Sequence, residues 1–115
     1  MEGCIFCKIA TKVIPSDIVY EDQRVIAFRD INPKAPVHVL VIPKEHHTSL
    51  KEFSPPNCET AGELFSVAET VAQKEGIGSS GFRLILNKGK NSGQEVEHLH
   101  IHVLGGRRLG PMISS

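Results

Sequence analysis

Net charge is missing from this sequence: thirteen lysines and arginines are balanced by thirteen aspartates and glutamates. No overall field draws in nucleic acid, so any anionic ligand is held by local chemistry. Long apolar runs are missing as well. The longest, Val37 to Pro43, is interrupted by His38 and is too short to cross a bilayer, and Met1 to Lys12 hold no signal-peptide core. The expectation is a cytoplasmic protein with neither a membrane nor a nucleic acid as partner. Cysteine is sparse, and three of them, an odd number, make no disulfide framework. Cys4 and Cys7 lie close together, a pattern that in a reducing compartment favours metal binding or packing over bridges. Cys58 stands alone on a predicted helix and is expected to pack. Repeats and linker-like tracts are lacking, so the 115 residues are expected to form one domain, 1–115. With 40% apolar and 23% charged residues, global disorder is excluded.

What is present alternates between strand and helix patterns. A short helix is predicted over Phe6 to Thr11, ending before Pro15. Strands are predicted at Ile18–Glu21 and Val25–Asp30, split by the polar turn at Asp22 and Gln23. A proline-pinned loop, Asp30 to Pro36, then leads into His38–Ile42, apolar on both faces apart from His38, as a covered central strand should be. The long helix is predicted over Pro55 to Glu75, with Ser54 as N-cap and Gly76 as stop. Its apolar stripe comprises Ala61, Leu64, Phe65, Ala68, Val71 and Ala72. Two strands follow, Phe82–Asn87 and His98–Leu104, joined by a Gly-rich segment. Five strands, one long helix and a short N-terminal one read as α+β with a mainly antiparallel sheet.

The chemistry concentrates in His98-Leu-His-Ile-His-Val-Leu104. Along a strand, His98, His100 and His102 share one face, and Leu99, Ile101 and Val103 the other. The apolar face suits packing on the long helix. A single three-histidine zinc ion is disfavoured, because His98 and His102 stand roughly 13 Å apart along an extended backbone. Ligand nitrogens must reach within about 2.1 Å of zinc, so the row must serve at least two jobs. The preceding loop, Asn87 to Gln94, holds two glycines among small polar residues and can present backbone N–H groups to an anion. An imidazole row beside anion donors suggests phosphoryl transfer, with a nucleophile aimed at phosphorus.

These residues resemble the histidine triad family. Gly93-Gln-Glu-Val-Glu-His-Leu-His-Ile-His-Val-Leu-Gly-Gly-Arg107 looks like its signature. Phe28-Arg-Asp-Ile-Asn-Pro33 and His38-Val-Leu-Val-Ile-Pro-Lys44 resemble blocks of its Hint branch, the nucleoside phosphoramidases. The likeness runs from Cys4 to Pro111. It implies a HIT-like fold and a homodimer whose sheets join into one.

The resemblance also implies roles. His100, the middle histidine, is the nucleophile that forms a covalent nucleotidyl-histidine, which water resolves. His102 contacts phosphate and leaving group, where an imidazolium serves as acid, and His38 supports the nucleophile from a neighbouring strand. Asp30 accepts the ribose hydroxyls of a purine nucleotide, and Phe6, Phe28 and Ile31 line the base. Asn87, Gly93, Gln94, Glu95 and Val96 form the phosphate-holding loop, with the Glu95 side chain, where some members carry Ser, turned outward. No catalytic metal is required. The implied reaction is hydrolysis of purine nucleoside 5′-phosphoramidates or acyl-adenylates. Dinucleoside polyphosphate cleavage, as in the Fhit branch, is an alternative, as is a zinc-stabilised nucleotide-binding scaffold with little turnover. Two cysteines supply only half of a zinc site. Some bacterial members complete the pair with positions matching His46 and His98, a structural zinc, with His47 as rival to His46.

Overall fold

In the computed structural model, which describes residues 3–113, the chain forms a five-stranded sheet covered on both faces. The strands are β1 (Ile18–Glu21), β2 (Val25–Arg29), β3 (Val37–Pro43), β4 (Phe82–Ile85) and β5 (Ile101–Gly105). Their order is β1-β2-β3-β5-β4, and every pair is antiparallel. β1 turns into β2 around Asp22, whose carboxylate accepts from the backbone N–H of Arg24 and Val25 at 2.8 Å and from the Tyr20 hydroxyl at 2.8 Å. Three donors on one side chain fix the hairpin without a glycine.

Alternation along the strands divides the interior in two. Val39, Val41, Leu99, Ile101 and Val103 pack with Leu64, Val67, Ala68, Val71 and Ala72 of α2 (Glu59–Lys74). The opposite face sends Ile26, Phe28, Leu40 and Ile42 against Cys4, Phe6 and Ile9 of the short α1 (Ile5–Ala10) and its cap. The apolar face of the histidine segment thus meets the long helix as expected. Among the described residues, no helix is long and apolar enough to cross a membrane.

Five expectations differ from the structure. The long helix begins at Glu59 rather than Pro55, and Ser54 closes a separate 3-10 helix, Leu50–Phe53, instead of capping α2. Pro56 disfavours helical backbone at Pro55, so the proline pair separates the two helices. Phe65 lies on the outer face at 56% exposure, and Val67 takes its place in the core. Cys58 is exposed at the α2 N-cap and does not pack inside. Finally, β5 starts at Ile101, so His98 and His100 precede the ladder rather than sitting in it. The stop at Gly76 holds, with φ of 79° just past the helix end.

Candidate active site

The loop after β2 and the edges of β3 and β5 converge on one cavity of about 360 Å³ on the α1 side of the sheet. Phe6, Asp30, His38, Asn87, Gly93, Glu95, Val96, His100 and His102 line it. So do Asn32, Lys34, Leu40, Ile85 and Leu104, which neither periodicity nor motif marks as site residues in the sequence. Three of these follow from register alone. Leu40 and Ile85 each sit opposite His102, and Leu104 sits opposite His38. Asn32 and Lys34 arrive on the loop, where the Asp30 carboxylate accepts from Asn32 N–H at 2.8 Å and Lys34 Nζ donates to the Asn32 carbonyl at 2.9 Å.

Three expected residues lie outside the lining. Ile31 points away at 90% exposure. Phe28 is buried behind the wall, its ring edge-on to Phe6 at 5.5 Å. Gln94 braces the loop from inside: its side chain accepts from Gly89 N–H at 2.8 Å and donates to the Val96 carbonyl at 3.0 Å. Gly93 closes that turn with φ of 83°, which only glycine adopts without strain. The Glu95 side chain is exposed.

Hydrogen-bond partners assign each imidazole its tautomer. The His100 Nδ1 lies 2.7 Å from the His98 carbonyl, which can only accept, so Nδ1 carries the hydrogen. In the neutral ring the lone pair is then on Nε2. His38 is set the opposite way. Its Nδ1 accepts from Lys34 N–H at 3.1 Å, so Nε2 carries the hydrogen and donates to His102 Nδ1 at 2.9 Å. His102 is left with Nε2–H as its free group. His38 therefore partners His102 rather than the nucleophile candidate His100, whose own partner is the His98 carbonyl.

Burial, with the neighbouring His100 and His38 adding to it, lowers His102 to about 4, and burial also lowers His38, opposed by Asp30. Both rings are neutral in the free protein near neutral pH, so His102 meets a ligand as a neutral N–H donor and not as an imidazolium. Asp30, His38 and His102 offer ligand atoms within 4.8 Å of one another. A metal fits poorly there, because moving the His38 hydrogen to Nδ1 would turn it against the Lys34 N–H.

Beside the cavity, Cys4, Cys7, His46 and His98 form a second cluster, with ligand atoms all within 4.8 Å. Cys4 Sγ lies 3.3 Å from His98 Nδ1, and Cys7 Sγ lies 3.2 Å from His46 Nδ1 and 3.5 Å from His98 Nδ1. Zinc bonds of about 2.3 Å to sulfur and about 2.0 Å to nitrogen give tetrahedral S···N edges of about 3.5 Å, close to these separations. His98 Nε2 donates to the Pro43 carbonyl at 2.7 Å, which turns the Nδ1 lone pair toward the thiols. The donor set fits a divalent soft metal. His47, the rival, faces elsewhere: Nδ1 bonds Glu52 at 2.9 Å and the ring packs on Phe53.

The sequence profile of the HIT domain matches residues 11–109. The chain belongs to the HIT family. This HIT domain is 48% identical over 113 residues to a purine nucleoside phosphoramidase of Escherichia coli, covering 98% of this chain and 95% of that protein. It is 48% identical over 107 residues to a 14 kDa zinc-binding protein of Zea mays, 91% of this chain and 83% of the relative. Among solved structures, a HIT family hydrolase from Clostridium thermocellum superposes with a TM-score of 0.93 at 51% identity, covering 99% of both chains. The five-stranded antiparallel sheet with one long and one short helix is therefore the HIT fold.

Proposed function

We propose that this HIT domain is a hydrolase of purine nucleoside 5′-phosphoramidates or acyl-adenylates, acting through a nucleotidyl-His100 intermediate. The observation that carries the reading is the tautomer of His100, whose Nδ1–H is tied to the His98 carbonyl and whose Nε2 lone pair is left for the cavity. The similarity to a named purine nucleoside phosphoramidase supports the substrate class.

The Nε2 atom forms a bond to the α-phosphorus as the phosphorus–nitrogen bond to the leaving amine breaks. The His98 carbonyl stabilises the positive charge that the ring acquires, and a cationic phosphoryl-imidazole is a good leaving group for the second step. A proton that the His38–His102 pair takes up from solvent as the anionic substrate binds passes from His102 Nε2 to the departing amine and leaves both rings neutral. Water then attacks phosphorus and releases His100. Asp30, its second oxygen 3.5 Å from His38 Nε2, faces the ribose end, while Glu95 and Val96 edge the phosphate loop. Most of the rate enhancement in such transfers comes from positioning and charge stabilisation.

The four-residue cluster is read as a closed structural zinc site, which matches the name of the maize relative. When bound, the metal supplies a cross-link from the N-terminus to the histidine segment, and no catalytic step passes through it. The single domain is taken to span residues 1–115, to act in the cytoplasm and to pair as a homodimer through a shared sheet.

Intact-protein mass spectrometry after brief mixing with an adenosine 5′-phosphoramidate tests the mechanism. Wild type is expected to gain transient AMP mass and His100→Ala none. No adduct and no substrate loss over hours would overturn the hydrolase reading.

A further inference from the structure

His98 belongs to two sites at once. Its ring joins the Cys4–Cys7–His46 cluster through Nδ1, and its backbone carbonyl takes the Nδ1 hydrogen of His100 at 2.7 Å. A central strand would normally hold that carbonyl by ladder hydrogen bonds. Here the β3–β5 pairing begins only at Ile101, opposite Val41, so the peptide after His98 lies ahead of the ladder. What anchors it is the His98 ring, fixed by the Pro43 carbonyl and the cysteines, and the Leu99 N–H, which donates to the His47 carbonyl at 2.7 Å. Phe6 makes a second link. It lies in sequence between the two cysteines, packs edge-on to His98 at 5.9 Å and to His100 at 5.1 Å, and lines the cavity.

We propose that His98 is a positioning residue: occupancy of the four-ligand site fixes its peptide plane and thereby holds the hydrogen of His100 on Nδ1. This rests on the metal reading of the cluster and the nucleophile reading of His100. With the metal bound, His98 cannot rotate about its side chain, and its carbonyl stays aimed at the His100 ring. Without the metal, the His98 ring keeps only weak sulfur contacts and the Pro43 bond, the His47 carbonyl that holds the Leu99 N–H loses the fixing of its neighbour His46, and the His98 carbonyl gains freedom. A share of His100 molecules then carries the hydrogen on Nε2, where no lone pair faces phosphorus. The cluster therefore acts on the rate of adduct formation rather than on nucleotide binding.

The test compares the zinc-loaded protein with the same protein stripped by a chelator and then reloaded. Zinc content, AMP dissociation constant, single-turnover rate and imidazole nitrogen shifts of His100 are all measured. The loaded protein should show a protonated-type Nδ1 and an unprotonated-type Nε2. Stripping should bring the two nitrogen shifts together and slow adduct formation by about tenfold, the scale of losses at second-layer partners of metal ligands. AMP affinity should change by less than about threefold, and reloading should restore both readouts. Should the stripped chain unfold, His46→Gln in saturating zinc replaces it, with His46→Cys, which restores a fourth ligand, as the rescue. Unchanged nitrogen shifts in folded, zinc-free protein or in His46→Gln would overturn the proposal, as would a wild-type protein that takes up no zinc. A zinc-loaded protein with no turnover would overturn the hydrolase reading alone, because the nitrogen shifts decide the positioning role without it.

Discussion

His38→Ala is expected to separate proton delivery from phosphorus attack. The ring is 5% exposed and holds two partners, the Lys34 N–H at 3.1 Å and the His102 Nδ1 at 2.9 Å. Truncation leaves both without a protein partner, at about 1–3 kcal/mol for each such group when dry. Because His38 lines the cavity, water can enter its place, which puts the combined destabilisation near the low end, about 2 kcal/mol. The kinetic effect follows from the relay. General acid catalysis is worth roughly 100- to 10,000-fold, and a His102 that is present but no longer held with its hydrogen on Nε2 forfeits part of that, roughly 10- to 100-fold. That loss applies to a substrate whose amine must be protonated as it leaves. An aryl ester of AMP with a nitrophenolate leaving group needs no such proton, and its rate should fall by no more than about threefold. The assay is kcat for both substrates on the same preparation, with urea unfolding to confirm the fold. Equal losses on the two substrates would refute the assignment of His38 to the proton donor.

Acid should weaken the fold in a window set by histidines. Burial lowers the folded-state value of His102 to about 4 from an ordinary 6.5, so the unfolded chain binds the proton more readily. The associated stability is complete above about 6.5 and drains away as pH falls toward 4, with about 2 kcal/mol lost by pH 5. Urea unfolding at pH 8 and pH 5 should show this difference shrink in His102→Gln, and an undiminished difference would refute it. Gly105→Ala is expected to cost about 1–3 kcal/mol, since a Cβ there would meet Ile77 Cδ1 at 2.7 Å and the Gly81 carbonyl at 3.3 Å in a packed core. A midpoint within error of wild type in the same assay would show that Ile77 moves aside freely.

The features legible in the sequence are those carried by local periodicity. The alternation of Leu99, Ile101 and Val103 foretold which face meets α2, and the apolar run after His38 foretold a central strand. The joining of Cys4 and Cys7 to His46 and His98 was legible only through family resemblance, because nothing local relates residue 4 to residue 98. Two kinds of feature escaped. Ile85, Leu40 and Leu104 reach the cavity through cross-strand register, which a single strand does not encode. The partners of the histidines escaped too, since the His98 carbonyl and the Lys34 amide are backbone groups whose direction depends on the fold. Phe65 faces solvent although its spacing matches the stripe, because an apolar residue at the edge of a helical stripe reads the same whether it faces in or out.

The alternation along β3 divides the selective pressures on neighbouring codons. Val37, Val39 and Val41 face the α2 core, while His38 and Leu40 line the cavity. Drift at the valines is filtered through the amount of folded protein that survives. At His38 and Leu40 it is filtered through chemistry lost by protein that persists. A one-codon insertion would exchange the two sets wholesale. Changes of length in a lineage are thereby confined to the loops, and the cavity evolves by replacing side chains on a backbone whose register it cannot alter.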